Sequence, residues 1–309
     1  MSRVLVTGAG GFIGRRLVRA LFARGHSVVA ATHRPQPADD PEVQTVTGDL
    51  KDGRGLSAWP KDVEIIVHAA ADRLDSDTDW ASVADLLRVN TLGTLHVLSY
   101  AEMIGVKRIV YCSSLAVYAL PQPLPIREEG ATYPVQAPDS FYGISKLGGE
   151  LLCARLQHEG RLSCLCLRLA RVYGPEEDPN TLLSRWVRSA GEGRSFAVYG
   201  DGKRSLDFLY IEDAVQGLVA AVESPSASGV MNLGSGRETT WRELAQTVIE
   251  VFAQPKSTRL VRYVPEGSLT RCFLDISKAS GALGFSARYS LRDGLIAWRD
   301  TALVTASEK

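Results

Sequence analysis

The sequence predicts an α/β protein with a doubly wound parallel sheet and a smaller mixed C-terminal lobe, and three observations support this. Short apolar segments alternate along the chain with segments whose apolar residues recur at helical spacing. Several of the short segments are apolar without polar alternation, which is typical of parallel strands covered on both faces. After Pro175 the segments become shorter and mixed, which indicates the lobe.

The strands and helices are predicted from these two patterns. Strands are expected at Arg3–Thr7, His26–Thr32, Val43–Val46, Val63–Ala69, Arg108–Ser113, Leu162–Leu169 and Gly229–Leu233, with shorter pieces within Ser195–Tyr210. Helices are expected at Gly11–Arg24, Ser82–Ile104, Ser145–His158, Thr181–Ala190, Glu212–Glu223, Trp241–Phe252 and Leu291–Thr301. In the first helix Ile13, Leu17 and Leu21 fall on one face. Gly105 and Gly160 end the second and third helices, since glycine favours the left-handed cap.

The chain is expected to divide near residue 170. Residues 1–170 form the sheet domain, and residues 171–309 form most of the lobe. The chain returns to the sheet domain near residues 205–234, because Gly229–Leu233 reads as another strand. No clear linker separates the two regions. The second region is therefore predicted to be a lobe built onto the first domain and not an independent domain.

Composition and charge exclude several classes of partner. The 309 residues are 45% hydrophobic, and 35 Lys and Arg balance 35 Asp and Glu, so the formal net charge is zero. A neutral chain has no general attraction for nucleic acid or for an anionic membrane. The longest apolar runs, such as Val63–Ala71, are shorter than a membrane span, and the chain enters a strand at Arg3, leaving no room for a signal peptide. We expect a cytoplasmic protein.

The cysteines predict neither a metal site nor disulfide bonds. They are odd in number and stand at no metal-ligand spacing: Cys112, Cys153, Cys164, Cys166 and Cys272. Cys164 and Cys166 alternate within an apolar run and are expected to face the same way from one strand. Packed thiols in a reducing compartment are the expectation.

A glycine-rich loop between the first strand and the first helix predicts a dinucleotide site. The loop contains Gly8, Gly11 and Gly14, with Phe12 and Ile13 between the last two. Glycines at this spacing allow a sharp turn, a close backbone approach to a pyrophosphate and tight packing of helix on strand. The N–H groups and the dipole of the helix N-terminus then bind the phosphates.

The end of the second strand predicts which nicotinamide cofactor binds. An acidic residue there would accept hydrogen bonds from the adenosine ribose, whereas an arginine would favour the 2′-phosphate. The chain has Thr32 and Arg34 in this region and no carboxylate, which favours NADP. NAD stays open, because Arg34 is also consistent with a solvated loop cation. Asp49 and Leu50 follow the third strand, where Asp49 can bond the adenine amino group or simply form a turn.

Tyr142 and Lys146 are candidates for proton transfer. Their spacing of four residues puts both on one face of a helix, with about 5–6 Å between Cβ atoms. A nearby cation stabilises a phenolate, which makes a tyrosine a usable base near neutral pH. Ser114 follows the fifth strand at the sheet edge where ligands bind, and it can donate to a substrate oxygen. Ser113 is its close competitor.

Several motifs occur in an order that resembles the extended short-chain dehydrogenase/reductase superfamily, in its NAD-dependent epimerase/dehydratase branch. The motifs are Thr7-Gly8-x-x-Gly11-x-x-Gly14, His68-Ala69-Ala70, Ser113-Ser114 with Val117-Tyr118, Tyr142-x-x-x-Lys146, Arg168–Pro175, Asp207–Ala214, Asn232–Gly236 and Asp275–Ala279 with Leu283-Gly284. The resemblance implies a Rossmann domain with a substrate lobe, and it implies catalysis by Ser114, Tyr142 and Lys146. It also implies that Ala69 and Ala70 line the cofactor site, and that a homodimer forms through the helices at Ser82–Ile104 and Ser145–His158.

Departures from the family pattern bear on the reaction. The dehydratases of this branch carry an Asp-Glu pair directly after the serine or threonine, where this chain has Leu115 and Ala116. The epimerases usually have a phosphate-binding arginine before the Asp-Phe pair, where this chain has Leu206. Arg204, expected on the same strand face as Leu206, is a candidate substitute. Arg271 and Arg171 are further candidates: Arg271 matches another expected phosphate arginine, and Arg171 replaces a common asparagine.

The favoured function is epimerisation of a nucleoside-diphosphate sugar. In the epimerases of this branch the tyrosine removes a sugar hydroxyl proton while hydride passes to the nicotinamide. The keto-sugar then rotates and takes the hydride back on its other face. Two alternatives stay open: an NADP-dependent reductase of a keto-sugar nucleotide or another carbonyl, and a non-catalytic dinucleotide-binding protein.

Overall fold

A seven-stranded parallel sheet forms the centre of the protein. The computed structural model describes residues 1–36, 38–74, 79–132, 140–253, 261–264 and 270–307. The strands are β1 (Arg3–Thr7), β2 (Ser27–Thr32), β3 (Gln44–Thr47), β4 (Ile65–His68), β5 (Arg108–Ser114), β6 (Ser163–Leu169), β7 (Arg171–Tyr173), β8 (Phe196–Tyr199), β9 (Ser205–Leu206), β10 (Phe208–Tyr210), β11 (Gly229–Leu233), β12 (Thr239–Thr240) and β13 (Val261–Val264). The sheet order β11-β6-β5-β4-β1-β2-β3 confirms the predicted doubly wound fold.

Helices cover both faces of this sheet. They are α1 (Phe12–Ala23), α2 (Trp80–Leu87), α3 (Gly93–Ile104), α4 (Ser140–His158), α5 (Leu182–Gly191), α6 (Ile211–Glu223), α7 (Trp241–Phe252), α8 (Ser277–Leu283) and α9 (Leu291–Ser307). Alternate residues of β1 belong to two separate buried clusters: Val4 and Val6 to one, Leu5 to the other. Because side chains alternate along a strand, an uninterrupted apolar run requires cover on both sides.

The lobe is built from three two-stranded sheets and four helices within the described residues. Strand β7 pairs with β10, β9 with β12 and β8 with β13. The Trp186 ring stacks on Phe196 at 4.9 Å and meets Trp241 edge-on at 5.6 Å. One buried apolar cluster contains both Val4 of the sheet and Trp186 of the lobe. The domain boundary near residue 170 remains a prediction.

Two predicted helices have different bounds in the structure, and both differences affect the site. The helix expected at Ser82–Ile104 begins at Trp80, and a π-helical turn at Arg88–Leu92 separates α2 from α3. Helix α4 begins at Ser140 and not at Ser145, so that Tyr142 lies within it. A π turn opens the ordinary hydrogen-bond ladder and often marks a functional position.

Smaller elements were not predicted. They include β7, β12, β13, α8 and the 3₁₀ turn at Leu115–Val117. These segments are short and carry too few residues to show a period. All five cysteines are free and buried, and Cys164 and Cys166 lie in the same buried cluster, as expected.

Candidate active site

The glycine loop has the geometry that a bound pyrophosphate needs. Gly8 has a φ of 70°, and a Cβ there would lie 2.7 Å from the Cα of Ala70. A Cβ on Gly14 would overlap the carbonyl group of Gly8. Within the described residues, no side chain caps the first turn of α1, whose N-cap is Gly11. The N–H groups of this turn are therefore available to an anion, and the loop fits a dinucleotide.

A cleft of about 720 Å³ lies beside this loop at the carboxyl edge of the sheet. The predicted cofactor residues that line it are Gly8, Gly11, Arg34, Asp49, Leu50, Ala69 and Ala70. Lining residues that were not predicted include Thr7, Gly10, Gln36, Trp59, Asp72 and Asp85. Phe12, Ile13 and Gly14 are not in this lining and form the first turn of α1 behind the loop. The cleft has the position of a cofactor site in doubly wound sheets.

The end of β2 contributes Thr32 and Arg34 to the cleft. The Thr32 hydroxyl donates to the carbonyl oxygen of Arg34 at 2.8 Å, which fixes the turn after the strand. The Arg34 side chain is exposed. Asp49 accepts a hydrogen bond from the Lys51 N–H at 2.9 Å and lies 3.8 Å from His33 Nδ1. Asp49 is therefore both a turn residue and part of the cleft wall.

Ser113 and Ser114 end β5 and have different surroundings. The Ser113 hydroxyl is buried and donates to Oε1 of Glu150 on α4. Ser114 is half-buried, and its Oγ accepts the Ala116 N–H at 3.2 Å in the turn that packs against α4. Successive strand residues face opposite sides, so only one serine can be held by Glu150. This geometry favours Ser114 as the serine that meets a substrate.

Tyr142 and Lys146 lie one turn apart on α4, as predicted from their spacing. The Lys146 ammonium is buried, and its Nζ lies 4.4 Å from the centroid of the Tyr111 ring. No Asp or Glu in the described part of the chain forms an ion pair with it. Burial lowers the pKa of Lys146 to about 8, because the ammonium loses hydration. Lys146 therefore keeps a positive charge at pH 7 that no carboxylate neutralises.

The acid nearest in sequence on this face of α4 is Glu150, and it is already paired. Arg168 Nε and Nη2 donate to the two oxygens of Glu150 at 3.0 and 2.7 Å. Both side chains are at least nine-tenths buried. A buried bidentate pair of this kind holds its partners firmly.

A chain of buried hydrogen bonds connects the glycine loop with α3. The Thr7 Oγ1 accepts the Ala70 N–H at 3.2 Å and lies 2.7 Å from His68 Nδ1. His68 Nε2 lies 3.0 Å from Thr94 Oγ1, which donates to the Asn90 carbonyl oxygen at 2.6 Å. Burial lowers the pKa of His68 to about 3. His68 is therefore neutral, with its proton on Nε2 and an acceptor at Nδ1.

Asn90, at the centre of the π turn, joins the cofactor cleft to α4. Its Oδ1 accepts the Asp72 N–H at 2.7 Å, and its Nδ2 donates to the Asp72 carbonyl oxygen at 3.0 Å and to Ser145 Oγ at 2.9 Å. Ser145 in turn donates to the carbonyl oxygen of Tyr142 at 2.7 Å. Sequence reasoning missed Asn90. The available signal was two polar residues four apart, Asn90 and Thr94, which lie on one face of the helical segment.

The three candidate substrate arginines all have partners within the protein. Arg171 pairs with Glu177, whose side chain is 4% exposed. Arg271 forms a bidentate pair with Glu238 at 2.6 Å on each nitrogen. Arg204 lies 5.3 Å from the Trp241 ring centroid.

The expected strand position of Arg204 is wrong. The strand is only two residues long and begins at Ser205, so Arg204 does not share a strand face with Leu206. The partner residues Glu177 and Glu238 left no signal in the sequence, because each lies in a segment without a period.

No group of three or more His, Cys, Asp or Glu side chains among the described residues could hold a metal ion. No helix that the structure describes is long and apolar enough to cross a membrane.

The fold and the cleft together define a class of protein: a dinucleotide-dependent enzyme built on a Rossmann domain. The sequence model of the NAD dependent epimerase/dehydratase family matches residues 4–234. The chain therefore belongs to this family, and it is an enzyme of the extended short-chain dehydrogenase/reductase type.

The proteins that this chain resembles include UDP-glucose 4-epimerases. The chain is 30% identical to a UDP-glucose 4-epimerase of Mycolicibacterium smegmatis, over 95% of this chain and 96% of that protein. The crystal structure of a UDP-glucose 4-epimerase from Thermotoga maritima with UDP-glucose is similar with a TM-score of 0.87 and 25% identity, over 98% and 99% of the chains. The structure of MoeE5 with UDP-glucuronic acid and NAD has a TM-score of 0.85 and 31% identity, over 97% and 99%.

The burial of Lys146 predicts that this residue destabilises the protein at neutral pH. Its pKa falls from an ordinary value of about 10.4 to about 8 on folding. The unfolded chain therefore binds more protons between these pH values, and stability rises with pH through that window. Lys146→Met should raise the free energy of unfolding at pH 7 by about 3 kcal/mol. The gain should shrink as the pH rises above 8.

Urea unfolding of cofactor-free protein at pH 7 and at pH 9.5 measures this difference. Lys107→Met, which removes an exposed ammonium paired with Glu64, is the control and should show little change. A Lys146→Met protein that is less stable than the parent at both pH values would contradict the assignment of a buried, unneutralised charge.

Proposed function

We propose that the chain epimerises a nucleoside-diphosphate sugar by transient oxidation of the hydroxyl on C4. The observation that carries the proposal is the charged, unneutralised Lys146 one turn from Tyr142, with Ser114 on the adjoining turn. The 4-epimerase relatives, with coverage above nine-tenths, support this choice of carbon. The same family relation supports a nucleotide sugar as the substrate.

Tyr142, Lys146 and Ser114 act in the proposed reaction. Tyr142 removes the hydroxyl proton as the sugar carbon is oxidised, and it returns that proton when the carbon is reduced. Lys146 stabilises the phenolate by its charge and binds the nicotinamide ribose. Ser114 donates a hydrogen bond to the sugar oxygen, on which negative charge develops. A bound nicotinamide would supply the capacity to take up a hydride and return it.

Epimerisation is favoured over 4,6-dehydration. Elimination of water needs an acid and a base beside the serine, and the dehydratases of this family have an Asp-Glu pair there. The corresponding residues of this chain are Leu115 and Ala116, which begin the 3₁₀ turn after β5. Neither side chain can transfer a proton, so no residue at this position supports the elimination step.

Tyr142→Phe should lower kcat by several orders of magnitude with cofactor affinity largely retained, because only the phenol proton is lost. Ser114→Ala should lower kcat by about 10²-fold, and it should lower stability by about 1 kcal/mol, because the Ala116 N–H loses its acceptor. Ser113→Ala is the matched control, since its hydroxyl serves Glu150 and faces away from the substrate. It should cost about 1–3 kcal/mol of stability and leave kcat close to the parent value.

Epimerase assays with UDP-glucose and UDP-glucuronate, together with urea unfolding, provide both readouts. Equal losses of kcat in the two serine variants would argue against Ser114 as the substrate donor. Unchanged behaviour of Tyr142→Phe would instead support a non-catalytic dinucleotide-binding protein.

We propose NADP as the preferred cofactor. The end of β2 carries no carboxylate that would repel a 2′-phosphate, and Arg34 lines the cleft at that point. Asp49, the acid after β3, is engaged by the Lys51 N–H. Similar proteins solved with NAD, among them MoeE5, argue for the other dinucleotide.

Arg34→Asp should weaken binding of NADP⁺ at least about tenfold and affect NAD⁺ much less, because a charge-assisted bond to the 2′-phosphate is lost. Fluorescence titration of cofactor-free protein with each dinucleotide measures both constants. If the parent protein binds NAD⁺ more tightly and Arg34→Asp leaves NADP⁺ affinity unchanged, NAD is the cofactor.

The same arginine favours a second candidate function, an NADP-dependent reductase of a keto-sugar nucleotide. An epimerase regenerates its cofactor in each cycle, whereas a reductase must release it. Mass spectrometry of the purified protein identifies a retained dinucleotide and any co-purified nucleotide sugar. Steady consumption of added NADPH with a carbonyl substrate would favour the reductase.

We propose a homodimer formed through α3 and α4. These neighbouring helices expose apolar side chains to solvent, including Leu95, Met103, Ile144 and Leu151. Ile144 and Leu151 are seven residues apart, so they lie on one stripe of α4. Exposed apolar stripes on adjacent helices favour a contact with a second copy.

Light scattering after size-exclusion chromatography tests the dimer. The double variant Met103→Glu with Leu151→Glu should elute as a monomer, because it buries two charges in the contact. Tyr199→Glu, at an exposed position of the lobe, is the control and should remain dimeric. A parent protein with the mass of one chain would overturn the proposal.

A further inference from the structure

Arg73 lies directly beside the residue proposed to transfer the proton. Its guanidinium carbon is 5.1 Å from the centroid of the Tyr142 ring, a cation–π distance. The segment that leads to it, Ala69–Asp72, lines the dinucleotide cleft, but Arg73 is not in the described lining. Arg73 is thus in contact with Tyr142 but outside the lining of the dinucleotide cleft.

The backbone before Arg73 is held by a buried side chain. Asn90 is 1% exposed and bonds both the N–H and the carbonyl oxygen of Asp72. The Asn90 amide also donates a hydrogen bond to the Ser145 hydroxyl, which donates in turn to the carbonyl oxygen of Tyr142. One asparagine thus fixes the backbone positions of both Arg73 and Tyr142, so that their contact is built into the site.

The buried carboxylate of Glu177 pairs with Arg171 and also interacts electrostatically with Arg73. Glu177 pairs with Arg171, and its Oε2 has no hydrogen-bond partner among the described residues. Burial raises the pKa of Glu177, and the charges of Arg171 and Arg73 oppose that rise. The positive charges of Arg171 and Arg73 therefore both favour the ionised form of Glu177. A guanidinium has five N–H donors, so an arginine engaged with one carboxylate retains donors for another.

The chemistry of the sugar suggests what those donors bind. The pyrophosphate is attached at C1, across the ring from C4, and the groups next to C4 are the C3 hydroxyl and the substituent on C5. In a hexose this substituent is a hydroxymethyl group, and in a hexuronate it is a carboxylate. A planar guanidinium next to the proton-transfer residue matches the carboxylate, which it can bind with two parallel hydrogen bonds.

We infer that Arg73 is a specificity-determining residue that binds the C5 carboxylate of a nucleoside-diphosphate hexuronate, which makes hexuronates the preferred substrate class. The inference rests on the proposed 4-epimerase function. It is distinct from a role in tuning Tyr142, because tuning would affect every sugar equally whereas carboxylate binding discriminates between sugars.

The test compares UDP-glucuronate with UDP-glucose as substrates. The parent protein should have the higher kcat/KM for UDP-glucuronate. Arg73→Met should lower that value by roughly 10- to 100-fold, the loss expected when a charged hydrogen-bond partner is removed. It should lower the value for UDP-glucose much less, so that the ratio of the two kcat/KM values falls. Arg73→Lys should give an intermediate loss, since a lysine keeps the charge without the bidentate geometry. Arg299→Met, at an exposed position of α9, is the control.

Binding measurements keep the inference testable if turnover is slow. Calorimetry with Tyr142→Phe, alone and combined with Arg73→Met, gives affinities for UDP-glucuronate, UDP-glucose and UDP without reaction. The preference for UDP-glucuronate should disappear when Arg73 is replaced.

The two proposals fail in different ways. Equal losses for both sugars on replacing Arg73, or a parent preference for UDP-glucose, would overturn the inference and leave the epimerase function standing. If neither UDP-sugar is epimerised and neither binds more tightly than UDP, the proposed function itself is overturned.

Discussion

The buried pair of Glu150 and Arg168 is the constraint on which the proposed chemistry depends. Glu150 follows Lys146 by one turn of α4, and an ion pair between them would cancel the positive charge that Tyr142 needs. Arg168 binds both oxygens of Glu150 instead, and Ser113 adds a third hydrogen bond. Because a buried carboxylate is costly to leave unpaired, Glu150 stays with Arg168. Lys146 then keeps its positive charge. Burial makes this charge unfavourable in free energy, and the charge can stabilise the phenolate of Tyr142.

Asn90 extends this arrangement across the cofactor cleft. A π turn places the side-chain amide of Asn90 where its oxygen and its nitrogen are both used, on Asp72 and Ser145. The backbone carbonyl oxygen of Asn90 accepts a hydrogen bond from Thr94. Thr94 continues to the neutral His68. Every donor in this buried chain meets an acceptor, so the network orients its members without an unsatisfied group. The cleft wall and α4 therefore form one unit, and a proton-transfer residue on α4 keeps a fixed position relative to the cofactor.

The sequence was sufficient for those parts of the fold and site that depend on local patterns. The glycine loop and the spacing of Tyr142 and Lys146 are short-range, so the sheet, α1 and the face of α4 could be predicted. Whether Ser113 or Ser114 faces the substrate depends on Glu150, more than 30 positions away in sequence, and no local pattern reveals that contact. The contact of Arg73 with Tyr142 depends on Asn90, which lies 18 positions from Asp72 and 55 positions from Ser145 in sequence.

Arg171 and Arg271 are both paired with a carboxylate, and the two pairs differ in the free energy needed to displace that carboxylate. Displacing Glu177 from Arg171 would leave a buried carboxylate without its main partner, which costs several kcal/mol. Displacing Glu238 from Arg271 releases both groups into water, because the Arg271 side chain is 58% exposed and such pairs contribute little. A substrate pyrophosphate can therefore replace the carboxylate at Arg271 at small cost but cannot do so at Arg171. Of these two arginines, the energetics favour Arg271 for the pyrophosphate, while Arg171 stays bound to Glu177 and shapes the sugar end of the site.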